Sequence, residues 1–132
     1  MTEGLEAITR QAVSLALDAA SLRQQVSAAN IANANVLGYA PQRVSFEAQL
    51  AEARRTLRDD GAIDPASLAQ VRPVIELDDG AGAVVGTAAG EGVRLDVEAA
   101  QMARNAVHYQ ALVKGLSHQL SLLSIAAGDG RR

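Results

Sequence analysis

The residues best equipped for chemistry are two histidines, a pair of adjacent aspartates and scattered serines. His108 and His118 stand ten positions apart, whereas two ligands on one helix face need a separation near four. Each therefore reads as a polar helix-surface residue, and no metal site is expected. Asp78-Asp79 sits in a turn, where aspartate is common for backbone reasons. Ser14, Ser21, Ser27 and the serines near the C-terminus have no histidine or lysine at a nucleophile–base spacing. Gly80, Gly82, Gly86, Gly90 and Gly92 lack the following Lys-Ser/Thr and the strand–glycine–helix frame of a phosphate loop, so they read as turn or linker glycines. No catalytic residue, cofactor or small-molecule substrate is predicted, and the chain is not expected to be an enzyme.

The elements that carry these residues must then be the point of the molecule. Its 132 residues make one domain's worth of sequence. The chain is 48% hydrophobic, yet only Tyr39, Phe46 and Tyr109 are aromatic and alanine dominates. Alanine buries little area, which suits close helix packing and leaves an isolated monomer marginal. A net charge of −3 and a pI near 5.3 give no general case for nucleic acid. With no cysteine, disulfides and thiolate sites are excluded. No run approaches the roughly 20 apolar residues of a membrane span. The start also lacks the pattern of a cleaved secretory signal, so any export is expected to use another route.

Thr2 is a predicted N-cap, with Glu3 and Glu6 favoured by the helix dipole. Leu5, Ile8, Ala12, Leu15, Ala19, Leu22, Val26 and Ala29 then keep three–four spacing, a heptad seam that predicts a long helix packed on another. From Glu3 to Asn33 it would be about 46 Å long. Ala16, Leu17 and Ile31 widen the stripe and predict more than one neighbour.

The segment 28–39 closes that helix. Asn30, Asn33 and Asn35 are poor helix-interior residues but good helix-end ones. Gly38 offers freedom from the Cβ penalty, and Pro41 opposes helical continuation past Ala40. The stretch reads either as an ordinary helix terminus or as a fixed corner whose asparagines set its shape or meet a neighbour.

Beyond it, 44–50 is expected to begin extended and turn helical, with Phe46, Leu50, Ala53 and Leu57 on one face. Arg54, Arg55 and Arg58, answered by Asp59 and Asp60, read as a solvated helix end. Residues 61–91 are glycine-rich and lack helical period. Val71–Leu77 and Ala83–Thr87 flank an Asp-Asp-Gly-Ala-Gly turn, predicting a small β-hairpin whose first strand Pro73 confines to an edge.

A second heptad pattern runs Leu95, Ala99, Met102, Ala106, Tyr109, Val113, Leu116, Leu120, Leu123 and Ala127. Asp96 is its predicted N-cap, and Gly128-Asp129-Gly130 its stop. Leu112, Leu122 and Ile125 lie off this seam. Gly115 marks either a close approach by a neighbouring chain or simple tolerance. The expected fold is mainly α: long terminal helices packed as an antiparallel coiled-coil hairpin, with an irregular connector holding a small β-hairpin. Its parts are a first helix over 1–35, a corner and connector over 36–58, an insert over 59–94 and a last helix over 95–127. Faces bearing Leu17, Leu112 and Leu122 are expected to be buried only on assembly.

Three blocks of this sequence resemble the FlgB family of proximal rod proteins in the bacterial flagellar basal body. Ser27–Tyr39 is similar to the family's Asn-Ile-Ala-Asn followed by a Gly-Tyr corner, carried here by Asn30, Ile31, Asn33, Asn35, Gly38 and Tyr39. Val44–Leu50, with Phe46, is similar to a stretch typical of FlgB. So is Tyr109-Gln110-Ala111-Leu112-Val113 with the leucine-rich helix, Leu116 included, to Leu123. Together they span about half the chain. Val36-Leu37 departs from the family's usual Thr-Pro, Ala40 from a basic residue, and Gly90–Asp96 from the usual lead into the last helix.

The resemblance implies a non-catalytic subunit, without cofactor, exported by the flagellar type III apparatus and placed at the base of the periplasmic rod. The partners it implies are copies of itself, rod proteins of the FlgC and FlgF type, the adaptor FliE and the export gate, with no nucleic acid. A cytoplasmic helical-hairpin adaptor or secretion chaperone is the alternative; it gives no reason for the asparagine-rich corner. A membrane-surface helix is disfavoured, because neither long helix has a dense basic face.

Overall fold

A computed structural model describes residues 2–46, 49–51, 65–78 and 93–129. Two long helices dominate: α1, Thr2–Ala32, and α3, Leu95–Asp129. Between them lie strand β1, Gln42–Ser45, a short helix α2, Pro65–Gln70, and strand β2, Val74–Leu77. The long helices pack on each other. Contacts of Asn30 with Glu98 and of Asn105 with Ala20 and Gln24 show that they run antiparallel. The mainly α fold with long terminal helices and a small sheet in the connector is as expected.

The first heptad reads well. Leu15, Ala19 and Val26 are buried, and Ile8, Ala12, Leu22 and Ala29 are half-buried; the side chain of Leu5 lies outside the described residues. The predicted breadth of this stripe is also real, since α1 contacts α3, β1 and α2. One face holds the apolar cluster: Leu15 meets Leu68 and Val71, with Ile8, Ala12, Phe46 and Leu50 packed around them. The side toward α3 is built from small or polar residues, Ala20, Gln24, Ser27 and Asn30. Small side chains there let the helices approach closely, and Asn105 Nδ2 reaches the Ala20 carbonyl at 2.7 Å.

The second heptad is displaced. Glu98, Met102, Asn105, Leu112, Leu116, Gln119 and Leu123 are half-buried on α3, while Leu95, Ala99, Ala106, Val113, Leu120 and Ala127 are exposed. The covered face is thus centred about 50° away from the apolar stripe, at 100° per residue. Periodicity fixes that a stripe exists, but α1 chooses the face that it covers. Here α1 selects the flank carrying Glu98 and Asn105, because those two bond to it.

The expected hairpin needs correction. β2 pairs antiparallel with β1, Gln42 opposite Leu77 and Ser45 opposite Val74, and the chain continues the pairing with Asp78 N–H donated to the Pro41 carbonyl at 2.8 Å. The strand also starts later than expected: Val71 is buried in the core beside Leu68 and its N–H bonds the Leu68 carbonyl. Ala83–Thr87, the expected partner, lies outside the described residues, as do the Arg54, Arg55, Arg58 cluster and the glycines of 80–92. Phe46 follows the extended run, Leu50 N–H bonds its carbonyl and 49–51 are helical, in line with the expected change from extended to helical chain; Glu47 and Ala48 lie outside the described residues.

Candidate functional site

The corner after α1 is assembled around one side chain. Asn30 is 1% exposed. Its Nδ2 donates to the Gln42 carbonyl and to Glu98 Oε1, both at 2.8 Å. Its Oδ1 accepts the Gln42 N–H and the Tyr39 hydroxyl, both at 3.0 Å. An asparagine amide has two donors and two acceptor lone pairs, so every valence is used. One residue thereby ties the end of α1 to the corner, to β1 and to the first turn of α3.

The turn itself is closed by its backbone. Asn33 N–H bonds Ala29 C=O, Val36 N–H bonds Asn33 C=O, and Tyr39 N–H bonds Val36 C=O. The Asn33 side chain also donates to the Ala29 carbonyl at 2.8 Å, so one residue gives that acceptor both its backbone and its side-chain bond. Gly38 takes φ +77°, the left-handed region where a Cβ is disfavoured. Asn35 is exposed and Ile31 half-buried.

Further along β1, Phe46 lies against the core cluster with the Arg23 guanidinium 5.1 Å from its ring centre. That distance is within cation–π range. Arg43 faces Glu76 across the sheet at 3.7 Å, half-exposed, a pair of small energetic weight.

At the start of α3, Glu98 N–H bonds the Arg94 carbonyl. The helix therefore begins at Leu95, one residue before the expected cap Asp96. The Asp96 carboxylate is held below its ordinary pKa, first by the Val97 N–H and then by Arg94, whose Nη2 lies 3.1 Å away. Glu98 Oε2 is shielded from solvent and finds no hydrogen-bond partner. It borders a small open cleft of about 120 Å³, also lined by Arg23, Ser27, Gln42 and Asn105.

The remaining sequence-predicted residues sit apart from this corner. Tyr109 and Gln110 are exposed on α3, whereas Leu112 and Leu116 are half-buried on its covered face. Of the three leucines expected to await a neighbour, only Leu122 is well exposed; Leu17 and Leu112 are half-buried within the subunit. Sequence reasoning missed Asn105, Gln42 and the bond that Glu98 makes to Asn30. The available signal was three-four spacing that includes polar residues: 98, 102, 105, 109, 112, 116. Among the described residues no group of three or more His, Asp or Glu could hold a metal, and no helix is long and apolar enough to cross a membrane.

The described residues thus form an antiparallel helical hairpin with a locked corner and an outward apolar stripe. The family described as flagella basal body rod protein matches residues 11–39, from the middle of α1 through Tyr39. That match supports a flagellar rod protein family for this chain, and with it a structural rod component. Among curated proteins none matches the chain.

Proposed function

We propose that this chain is a structural subunit of the proximal flagellar rod, of the FlgB type. It would be exported by the flagellar type III apparatus and polymerise helically, linking the export gate and membrane ring to the rest of the rod so that torque passes outward. Its neighbours in this reading are copies of itself, rod proteins of the FlgC and FlgF type, FliE and the export gate.

The observation that carries the reading is the exposed stripe of α3. Leu95, Ala99, Ala106, Val113, Leu120 and Ala127 follow one exposed line along a helix whose adjoining flank is already packed. Each buried leucine contributes roughly 1.5–3 kcal/mol, so covering several offsets much of the cost of ordering subunits. The family match at the corner supplies the context.

The test is deletion of the gene followed by isolation of basal bodies. Loss of the rod with the export apparatus and membrane ring retained is expected, as is co-purification of the native protein with basal bodies. A protein found only in the soluble fraction would instead support the adaptor or chaperone reading and overturn this one.

A further inference from the structure

Leu37 is 101% exposed, yet it is not on a loose loop. The backbone bonds of the turn, Gly38 at φ +77° and the Tyr39 hydroxyl on Asn30 hold its frame on both sides. An apolar side chain is thus displayed on a preorganised support, which lowers the entropy lost on docking.

Gly115 is unexplained on the other side. A mid-helix glycine is less favourable than alanine by about 1 kcal/mol, and a Cβ built there meets nothing within 4 Å. The subunit's own packing does not require it. On a helix, positions 115, 118, 119 and 122 outline one hole between side chains, the receptacle for a knob from a neighbour. Gly115 leaves that hole open at one corner, and Leu122, 54% exposed, borders it. Ile125 continues the apolar surface by one turn.

The two surfaces match in charge. Residues 24–42 and 115–128 contain no Asp, Glu, Lys or Arg, and they are the longest such runs in the chain. Interface cores are depleted of charge because charged groups resist losing water. The subunit cannot make this contact with itself: Gly115 lies 17 residues along α3 from Glu98, which is bonded to Asn30 beside the corner. At 1.5 Å per residue that is about 26 Å.

We infer that Leu37 of one copy seats in the hole between Gly115 and Leu122 of a second copy. Repeated head to tail from copy to copy, the contact is heterologous and builds a ring or an open helical array. The inference rests on the self-assembly reading above and names the surfaces that meet.

The chain has no cysteine, so single-cysteine variants of the full chain report contacts cleanly. Leu37→Cys and Leu122→Cys, mixed and mildly oxidised, are expected to give the mixed dimer in excess of either like-with-like dimer. Leu37→Asp should abolish sedimenting assemblies with the monomer's melting temperature unchanged, since Leu37 packs on nothing. Gly115→Leu should raise the monomer's melting temperature yet reduce assembly. Like-with-like cross-links, or assembly undiminished in Gly115→Leu, would overturn the inference and leave self-assembly standing. A wild-type chain that stays monomeric at every concentration would remove both.

Discussion

Asn30 meets the backbone of Gln42 as a neighbouring strand would, donating to its carbonyl at 2.8 Å and accepting its N–H at 3.0 Å. A helix side chain thus completes the outer edge of β1, whose other edge pairs with β2. A two-stranded ribbon alone is marginal in water; this one has a third, side-chain partner. The motif that looked like a surplus of asparagine is the point where helix and ribbon join.

Replacing that amide should therefore be severe. Asn30→Ala strands both backbone groups of Gln42 and removes the donor to Glu98, and a buried unsatisfied group costs about 1–3 kcal/mol. We expect a loss of about 3 kcal/mol or more in urea unfolding. Asn30→Asp should lose at least as much, because it sets a second carboxylate against Glu98.

Glu98 offers a test of sign. Its Oε1 accepts from Asn30, while Oε2 is shielded and unpartnered. Glu98→Gln keeps an acceptor for Asn30 and removes a desolvated charge, so stability at neutral pH should be equal or higher. Glu98→Ala leaves Asn30 Nδ2 short of a partner and should be destabilising by about 1–2 kcal/mol. Denaturant midpoints of the two variants should fall on opposite sides of the wild type, or Glu98→Gln on the wild-type value itself.

Asn105 is expected to set register more than stability. Its Nδ2 donates to Ala20 C=O and to Gln24 Oε1 at 3.0 Å, and a polar residue bonded across a helix–helix contact can specify alignment at some expense in stability. Asn105→Leu should change unfolding free energy by less than about 1.5 kcal/mol. It should, however, broaden the set of cross-links formed by cysteines introduced along α1 and α3. A single sharp cross-linking register in the variant would contradict this role.

Acid should act on the first turn of α3 in a defined direction. Asp96 has its folded pKa lowered by the Val97 N–H and by Arg94. Its stabilising contribution is therefore present above the ordinary carboxylate pKa and is lost as pH falls through the lowered value. The group is fully exposed, so the effect is small. Asp96→Asn should flatten that part of the stability–pH curve and leave the rest unchanged.

These particulars show what sequence could and could not reveal. The α1 heptad was legible because its apolar residues are also the covered ones, from Ile8 to Ala29. On α3 the same spacing pointed to Val113 and Leu120, which are exposed; bonds from Asn105 and Glu98, invisible to a count of apolar residues, rotate the packed face. The β1–β2 pairing was missed because a local Asp-Gly turn signal outweighed a contact across some thirty residues. The asparagines announced a special corner, but the fourfold bonding of Asn30 depends on Glu98, 68 positions away.

The displaced seam of α3 has a thermodynamic corollary. A subunit that folds with Leu95, Val113, Leu120 and Leu122 left exposed gains further stabilisation when another chain covers them. By mass action, its apparent melting temperature should climb with protein concentration. The dilute chain is then the softest form of the molecule, and association with further copies hardens it.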